Sequence, residues 1–399
     1  MNRSSQNAKR EEGEAEFVGR LSSVRSRLLL WVGDRLLWAV RNPLVIRLDA
    51  QLHRAMAASR NDATRFTDRS LVEQVSNELR GQESQTELQF LSQKYIRQKA
   101  SVLLFMDLIF QTVSNIMTYE RDRRVTEEVL AEGDVDPRVI LATLPVLRME
   151  IIQGNDGVWL PGGLQVLLEG FIKAQDFYSP IDPTSVSGGV IFQLTKRYLL
   201  IWRRKKGFGS IADEKEVFES VDAALLHLLL LLDSTTPPGP AIKGSVRAEL
   251  AILMDQGVDC WRRAIELLES FKRLYMLSRL YQSRKMSAKV LATWRRIIEG
   301  EQDKGGEFID GESEMRRYLG KIKDRHVVEE YGIWLATRNP KLGVQIFTDD
   351  SSRVKFTAKQ ALDLLKTGAP QAVKDFLQHL VFDKKVSCDF QHWRYSFGY

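Results

Sequence analysis

Residues 326–382 read HVVEEYGIWLATRNPKLGVQIFTDDSSRVKFTAKQALDLLKTGAPQAVKDFLQHLVF. Val327, Val328, Tyr331, Trp334 and Leu335 recur at steps of one and three, which puts them on one stripe of an α-helix. Asn339-Pro340 closes that helix, because proline restricts the residue before it and has no N–H to donate. The period restarts at Ala361, Leu362, Leu364 and Leu365, breaks at Gly368 and Pro370, and resumes at Val373, Phe376, Leu377, Leu380 and Val381. The stretch therefore predicts three short helices joined by tight turns, each apolar on one face. Such faces are buried only when one helix pair stacks on the next, which is the logic of an α-solenoid. Trp334 and Phe376 are expected in the core, where truncation of either to alanine costs about 3–5 kcal/mol.

The same pattern extends toward the N-terminus. A helix of about thirty residues is expected to begin at Ser84, where Ser84 and Glu87 have capping-box spacing. Leu88, Leu91, Tyr95, Val102, Phe105, Ile109, Val113 and Ile116 follow at steps built from three and four, and Leu103, Leu104, Leu108 and Phe110 lie off that stripe. A helix apolar all round is buried on more than one side. Further helices are predicted at about 162–178, 189–203, 214–233, 245–255, 258–282 and 286–299, with Pro137 near another helix start and Pro145 beyond its end. STTPPGP (234–240) is a breaker loop, and EGEQDKGGEFIDGESE (299–314) is so rich in glycine and charge that an exposed loop is expected.

The N-terminal region differs. Leu28–Val32 and Leu36–Val40 are short apolar runs around Gly33-Asp34, and Leu44–Leu48 is a third, so a small β-meander is predicted. The expected organisation is a flexible tail at 1–16, the meander within 17–53, a linker with a short helix near 70–79 at 54–83, an all-α solenoid at 84–382 and an irregular tail at 383–399.

Bulk properties are ordinary for a soluble protein: 399 residues, 44% hydrophobic, 28% charged. A formal charge of +6 is too mild for this length to demand nucleic acid as a partner. Two cysteines give no disulfide framework, and Cys260 is expected as a small core residue. Residues 1–17 lack the apolar run of a signal peptide, and the most apolar run, Ala223–Leu232, is too short to span a bilayer. The five histidines, His53, His227, His326, His379 and His392, never fall at i and i+4, and neither cysteine has metal-ligand spacing from one. No nucleophile elbow, phosphate loop or dinucleotide fingerprint is present, and GNDGVWLPGGL (154–164) reads as a loop between helices. No catalytic residue, metal or cofactor is expected, and the protein reads as a non-enzyme.

TKRYLLIWRRKK (195–206) is the one cluster with a functional alternative. Lys196, Arg197, Arg203, Arg204, Lys205 and Lys206 flank an apolar middle. The favoured reading is structural: the middle is a core helix face and the terminal cations complement the helix C-terminus. The second reading is a membrane or protein contact, and the third, least favoured, is nucleic-acid binding.

LGVQIFTDD with APQAVKDFLQHLVFDKK (342–350 and 369–385), TELQFLSQKYIRQKASVLLFMDLI (86–109) and VDAALLHLLLLLD (221–233) together resemble the solenoid of a known family. This is the vacuolar-sorting and transforming-growth-factor-β-receptor-associated family, whose members are Rab-facing subunits of the CORVET and HOPS endosomal tethers. GVQIF and HLVFDKK lean toward the CORVET branch, with the HOPS counterpart next, and TELQFLSQKYIRQKASVLLFMDLI resembles the fungal form of the CORVET subunit. The resemblance implies a cytoplasmic scaffold, peripheral on endosome or vacuole membranes, that links an early-endosomal Rab GTPase to the other tether subunits. It also implies an N-terminal citron-homology β-propeller, of which the meander stands as the last blade, and a solenoid running past the DKK phrase. The chain is accordingly expected to be a truncated form. A hairpin packed on the first helix is the alternative for the meander, and a receptor-associated signalling adaptor is the alternative role.

Overall fold

The structure, a computed structural model, describes residues 28–32, 35–39, 44–58, 66–114, 116–155, 157–175, 181, 185–208 and 211–382. The tails expected at 1–16 and 383–399 lie outside them. The chain divides into two units between Thr235 and Thr236, inside the STTPPGP loop.

The backbone of β1 (Leu28–Val32) pairs antiparallel with β2 (Arg35–Ala39), Leu28 opposite Ala39 and Val32 opposite Arg35. The third run is not a strand. It opens α1 (Leu44–Ala58), in which Leu48, Leu52 and Ala55 share the buried stripe. Five residues of apparent alternation are too few to distinguish a period of two from one of 3.6.

In the first unit α1 is followed by α2 (Arg69–Leu79), α3 (Glu87–Val113), α4 (Glu120–Gly133), α5 (Pro137–Ala142), α6 (Gly162–Gln175), α7 (Val186–Arg203) and α8 (Glu214–Asp233). Helix α3 is the spine, with α1, α2, α4 and α7 packed on it. Every residue from Ser101 to Ile109 is buried, as its surplus of apolar positions requires. Its cap lies two residues past the expected one: Thr86 Oγ1 accepts the Gln89 N–H at 3.2 Å, and the Gln89 carboxamide accepts from Gln85 N–H at 2.8 Å. Both 84/87 and 86/89 satisfy the capping spacing, so sequence alone leaves the start ambiguous. Asp49 of α1 accepts from Lys99 Nζ of α3 at 2.7 Å, and that lysine side chain is 1% exposed. Along α8, His227 Nδ1 meets Glu150 Oε1 at 2.8 Å and Ser220 Oγ accepts from Ile152 N–H at 2.8 Å, which lays residues 150–152 against the helix.

The second unit holds α9 (Val246–Gln256), α10 (Trp261–Ser270), α11 (Leu274–Ser283), α12 (Ser287–Ile298), α13 (Gly311–Leu319), α14 (Arg325–Arg338), α15 (Pro340–Thr348), α16 (Ala358–Gly368) and α17 (Val373–Phe382). Each packs on the next one or two along the chain: α11 on α9, α10 and α12, α13 on α12, α14 and α15, and α17 on α15 and α16. That nearest-neighbour pattern is solenoid packing.

Three local expectations change here. The single helix expected at 258–282 is two, split where Lys272 takes φ +54° and Arg273 turns inward. Asn339-Pro340 ends one helix and also begins another. Asn339 Oδ1 accepts the Leu342 N–H at 3.3 Å, and Pro340 fills the first helical position, where a missing N–H costs nothing. Four helices thus form where three are predicted, and the added one lies backbone-close to its neighbour. A Cβ on Gly343 would come within 2.2 Å of Ala336 Cα.

The third change concerns residues 299–314, which are not a free loop. Lys304 N–H bonds the Lys272 carbonyl at 2.8 Å, Gly239 N–H bonds the Gly305 carbonyl at 2.9 Å, and Asp303 accepts from Tyr275 N–H at 3.2 Å. Glu307, with its side chain 5% exposed, accepts from Arg273 Nη2 at 2.7 Å and lies 3.7 Å from Arg247 Nε. Burial pushes its carboxyl above the usual range, against the pull of Arg273 and Arg247. The residues from Gly311 onward form α13. Composition suggested solvent because the two buried partners lie 34 and 60 residues away in sequence.

Phe376 is 1% exposed, whereas Trp334 is only half-buried, with its indole N–H on Glu299 at 3.0 Å and the Arg295 guanidinium over its ring. Trp334→Ala is therefore expected to cost about 1–2 kcal/mol, below the fully buried range. Urea denaturation checks this, and a loss equal to that of Phe376→Ala would place Trp334 in the core after all.

Candidate functional site

Among the described residues no three His, Cys, Asp or Glu side chains gather where they could hold a metal ion, and no helix is long and apolar enough to cross a membrane. Cys260 is buried where α10 begins.

Helix α7 starts at Ser185, whose hydroxyl accepts the Gly188 N–H at 3.0 Å, and carries the cations singled out in the sequence. Lys196 is 8% exposed. Arg197 makes a two-pronged bond to Glu127 of α4, at 2.6 and 2.8 Å. Arg203 bonds Asp222 of α8 at 2.8 Å. Lys205 bonds Asp134 and sits 4.4 Å from the centre of the Trp202 ring. Arg204 and Lys206 are exposed. Between these cations Tyr198 is buried, its hydroxyl donating to the Val135 carbonyl, and burial drives its pKa well up. Arg197, Arg203 and Lys205 thus bind α7 and the turn after it to neighbouring elements.

That turn belongs to a larger feature. Asp134, in left-handed backbone just past α4, receives Lys205 from behind α7 and Lys94 of α3 at 3.7 Å. Arg138 of α5 bonds Asp136 at 2.7 Å and Asp213, just before α8, at 3.2 Å. Gly207 N–H donates to Glu214 Oε1 of α8 at 3.1 Å. The N-terminal part of α3, the end of α4, the start of α5, the end of α7 and the start of α8 are thus gathered at one end of the first unit.

Residues 154–155 and 157–163 reach the same end at two points. Gly154 lies against Glu216 in the first turn of α8, and Gly163 lies so close to the Tyr95 hydroxyl of α3 that a Cβ there would come within 2.2 Å of it. Trp159, between those two anchors, is 74% exposed, and Phe208, on the turn after α7, is 78% exposed. Phe90 and Leu91, in the first two turns of α3, are about half exposed. Sequence reading missed all four as a group, since they come from three separate segments. The available signal was an aromatic set among glycines, in GVWLPGG and GFG.

A second exposed apolar face lies at the far end of the second unit, where Val373, Leu377, Val381 and Phe382 of α17 form an open depression with Pro370.

No protein-family model matches the chain, and no solved structure matches it. Several curated proteins are similar over part of it. Transforming growth factor-beta receptor-associated protein 1 of Mus musculus is 26% identical over 206 residues, 49% of this chain and 22% of the relative. Vacuolar protein sorting-associated protein 39 homolog of Caenorhabditis elegans is 25% identical over 183 residues, 45% of this chain and 20% of the relative. Vacuolar protein sorting-associated protein 3 of Schizosaccharomyces pombe is 21% identical over 268 residues, 62% of this chain and 28% of the relative. The match thus spans between a fifth and somewhat over a quarter of each relative's length.

Proposed function

We propose that this chain is a non-catalytic scaffold subunit of an endosomal tethering complex, acting in vesicle-mediated transport and sorting to the vacuole. The observation that carries the reading is the similarity to three relatives, two named for vacuolar protein sorting, in a chain built of stacked helices. Solenoid repeats present long surfaces while needing only their neighbours for stability, which suits a part that holds others in place. Of the two tether types we favour CORVET, on the GVQIF and HLVFDKK phrases. Its partners are then the shared tether core and an early-endosomal Rab GTPase, with peripheral membrane contact and no nucleic acid. The hairpin of β1 and β2 is read as part of a propeller blade, the element associated in the family with Rab recognition.

Affinity capture of the chain from its own cells, followed by mass spectrometry, tests the assignment. Recovery of the shared core with an early-endosomal Rab is the expected result. Recovery of the core with a late-endosomal Rab moves the chain to HOPS. Recovery of neither removes the tether reading, and a transmembrane receptor in their place favours the signalling-adaptor alternative.

A further inference from the structure

We infer that one face of the second unit, where the turn between α13 and α14 meets the segment between α15 and α16, docks an acidic peptide segment of a partner protein. Two contacts set these stretches side by side. Arg353 N–H bonds the Gly320 carbonyl at 3.0 Å, and the Arg325 guanidinium lies 5.0 Å from the centre of the Phe356 ring. That ring packs edge-on against Phe347 of α15, 5.1 Å between centres, which fixes the segment to the helix before it. Lys321 and Lys323 in the turn, Arg353 and Lys355 in the segment, and Lys359 at the start of α16 are all exposed. Among the described residues none of these five side chains has a carboxylate partner.

The carboxylates at this face do not cancel them. Across residues 320–325 and 349–359 six cations stand against three carboxylates. Asp349 is held by Arg316 of α13 at 2.9 Å and accepts from Ser351 N–H at 2.9 Å. Asp324 accepts from the His326 and Val327 N–H groups at the start of α14. Asp350 is exposed. Just beyond, Glu329 pairs with Arg325 at 2.7 Å and Glu314 with Arg317 at 2.8 Å. A positive surplus therefore remains that the fold itself does not neutralise.

The arrangement of that surplus suits a peptide. Lys321 and Lys323 flank the buried Ile322, and Arg353 and Lys355 flank the half-buried Val354, so each stretch offers cations at alternate positions. An extended peptide presents alternate side chains about every 7 Å on one side, a period that two such rows can meet with carboxylates. Arg353 adds a fork that takes a carboxylate through two N–H groups. A bilayer fits less well, because stable attachment takes an inserted apolar group beside the cations, and neither stretch exposes a large apolar side chain. A single nucleic-acid strand needs exposed rings for stacking, whereas Phe356 is half-buried beside Arg325. The inference adds a partner chemistry to the proposed function and does not rest on it.

The test is fluorescence anisotropy with the whole purified chain and a labelled peptide of alternating glutamate and serine, about ten residues long to span both rows. Binding that weakens as salt is raised is expected, with none to the glutamine–serine counterpart. Lys321→Glu with Lys323→Glu, and separately Arg353→Glu with Lys355→Glu, should each lower the affinity at least about tenfold. Lys215→Glu with Lys243→Glu makes the same change in net charge at exposed positions elsewhere and should leave binding nearly unaltered. All these side chains are exposed, so circular dichroism should not change. Absence of peptide binding overturns the inference, as does an equal loss in the 215/243 variant, which would make the effect one of net charge alone. Phosphatidylserine vesicles or single-stranded RNA that bind in a manner sensitive to 321/323 and 353/355, while the peptide does not, would assign the face to lipid or nucleic acid and overturn it too.

Discussion

Glu307→Ala is expected to destabilise the second unit by about 3–5 kcal/mol, the loss typical when one member of a buried ion pair is removed. The carboxylate lies between Arg273 and Arg247, and all three side chains are at most 5% exposed. Its raised pKa says that burial costs the ionised carboxyl more than the arginines return. Deletion is nevertheless worse, because it takes the carboxylate from the buried Arg273 guanidinium, while Arg247 still holds the Thr236, Pro237 and Gly239 carbonyls, and it loosens the 301–310 segment at the start of α11. Glu307→Gln keeps the shape and an oxygen for Arg273, so it should cost less than alanine. The pH dependence follows from the direction of the shift. A folded pKa above the unfolded one gives stability that is fullest below the ordinary carboxylate range and is lost as pH rises through the folded value. The margin of the unaltered protein over Glu307→Gln should therefore shrink with rising pH across that window. Urea denaturation followed by circular dichroism measures both effects, and a near-neutral Glu307→Ala would mean that the segment is not held as described.

Phe376→Ala should cost about 3–5 kcal/mol, from lost transfer energy together with the cavity left behind. The ring is 1% exposed, and α17 rests on α15 and α16. Val381, on the same helix and about half exposed, supplies the contrast: Val381→Ala should be nearly neutral. Equal losses at the two positions would show that α17 is seated with a different face inward.

These two sites mark what the sequence could and could not disclose. Phe376 was legible because its neighbours Val373, Leu377, Leu380 and Val381 keep helical spacing, a signal contained in ten residues. The long α3 and the leucine-rich α8 were legible for the same reason. Glu307 was not, since its partners lie far off in sequence and a glycine-rich acidic stretch has the composition of a solvated loop. The start of α1 and the break at Lys272 failed through short windows: five residues do not fix a period, and a lysine carries no marker of left-handed backbone. The basic segment was visible as a cluster, yet its disposition was not. Arg197 finds Glu127 across 70 residues and Lys205 finds Asp134 across 71, so only the fold shows where these cations go.

The central claim, a helical scaffold that binds tether subunits, is tested most directly by reconstitution. The purified chain is mixed with the purified shared core subunits of the tether and passed over a size-exclusion column. Co-elution of chain and core in one early peak is the predicted result. Separate elution at concentrations where the core itself stays assembled would contradict the claim.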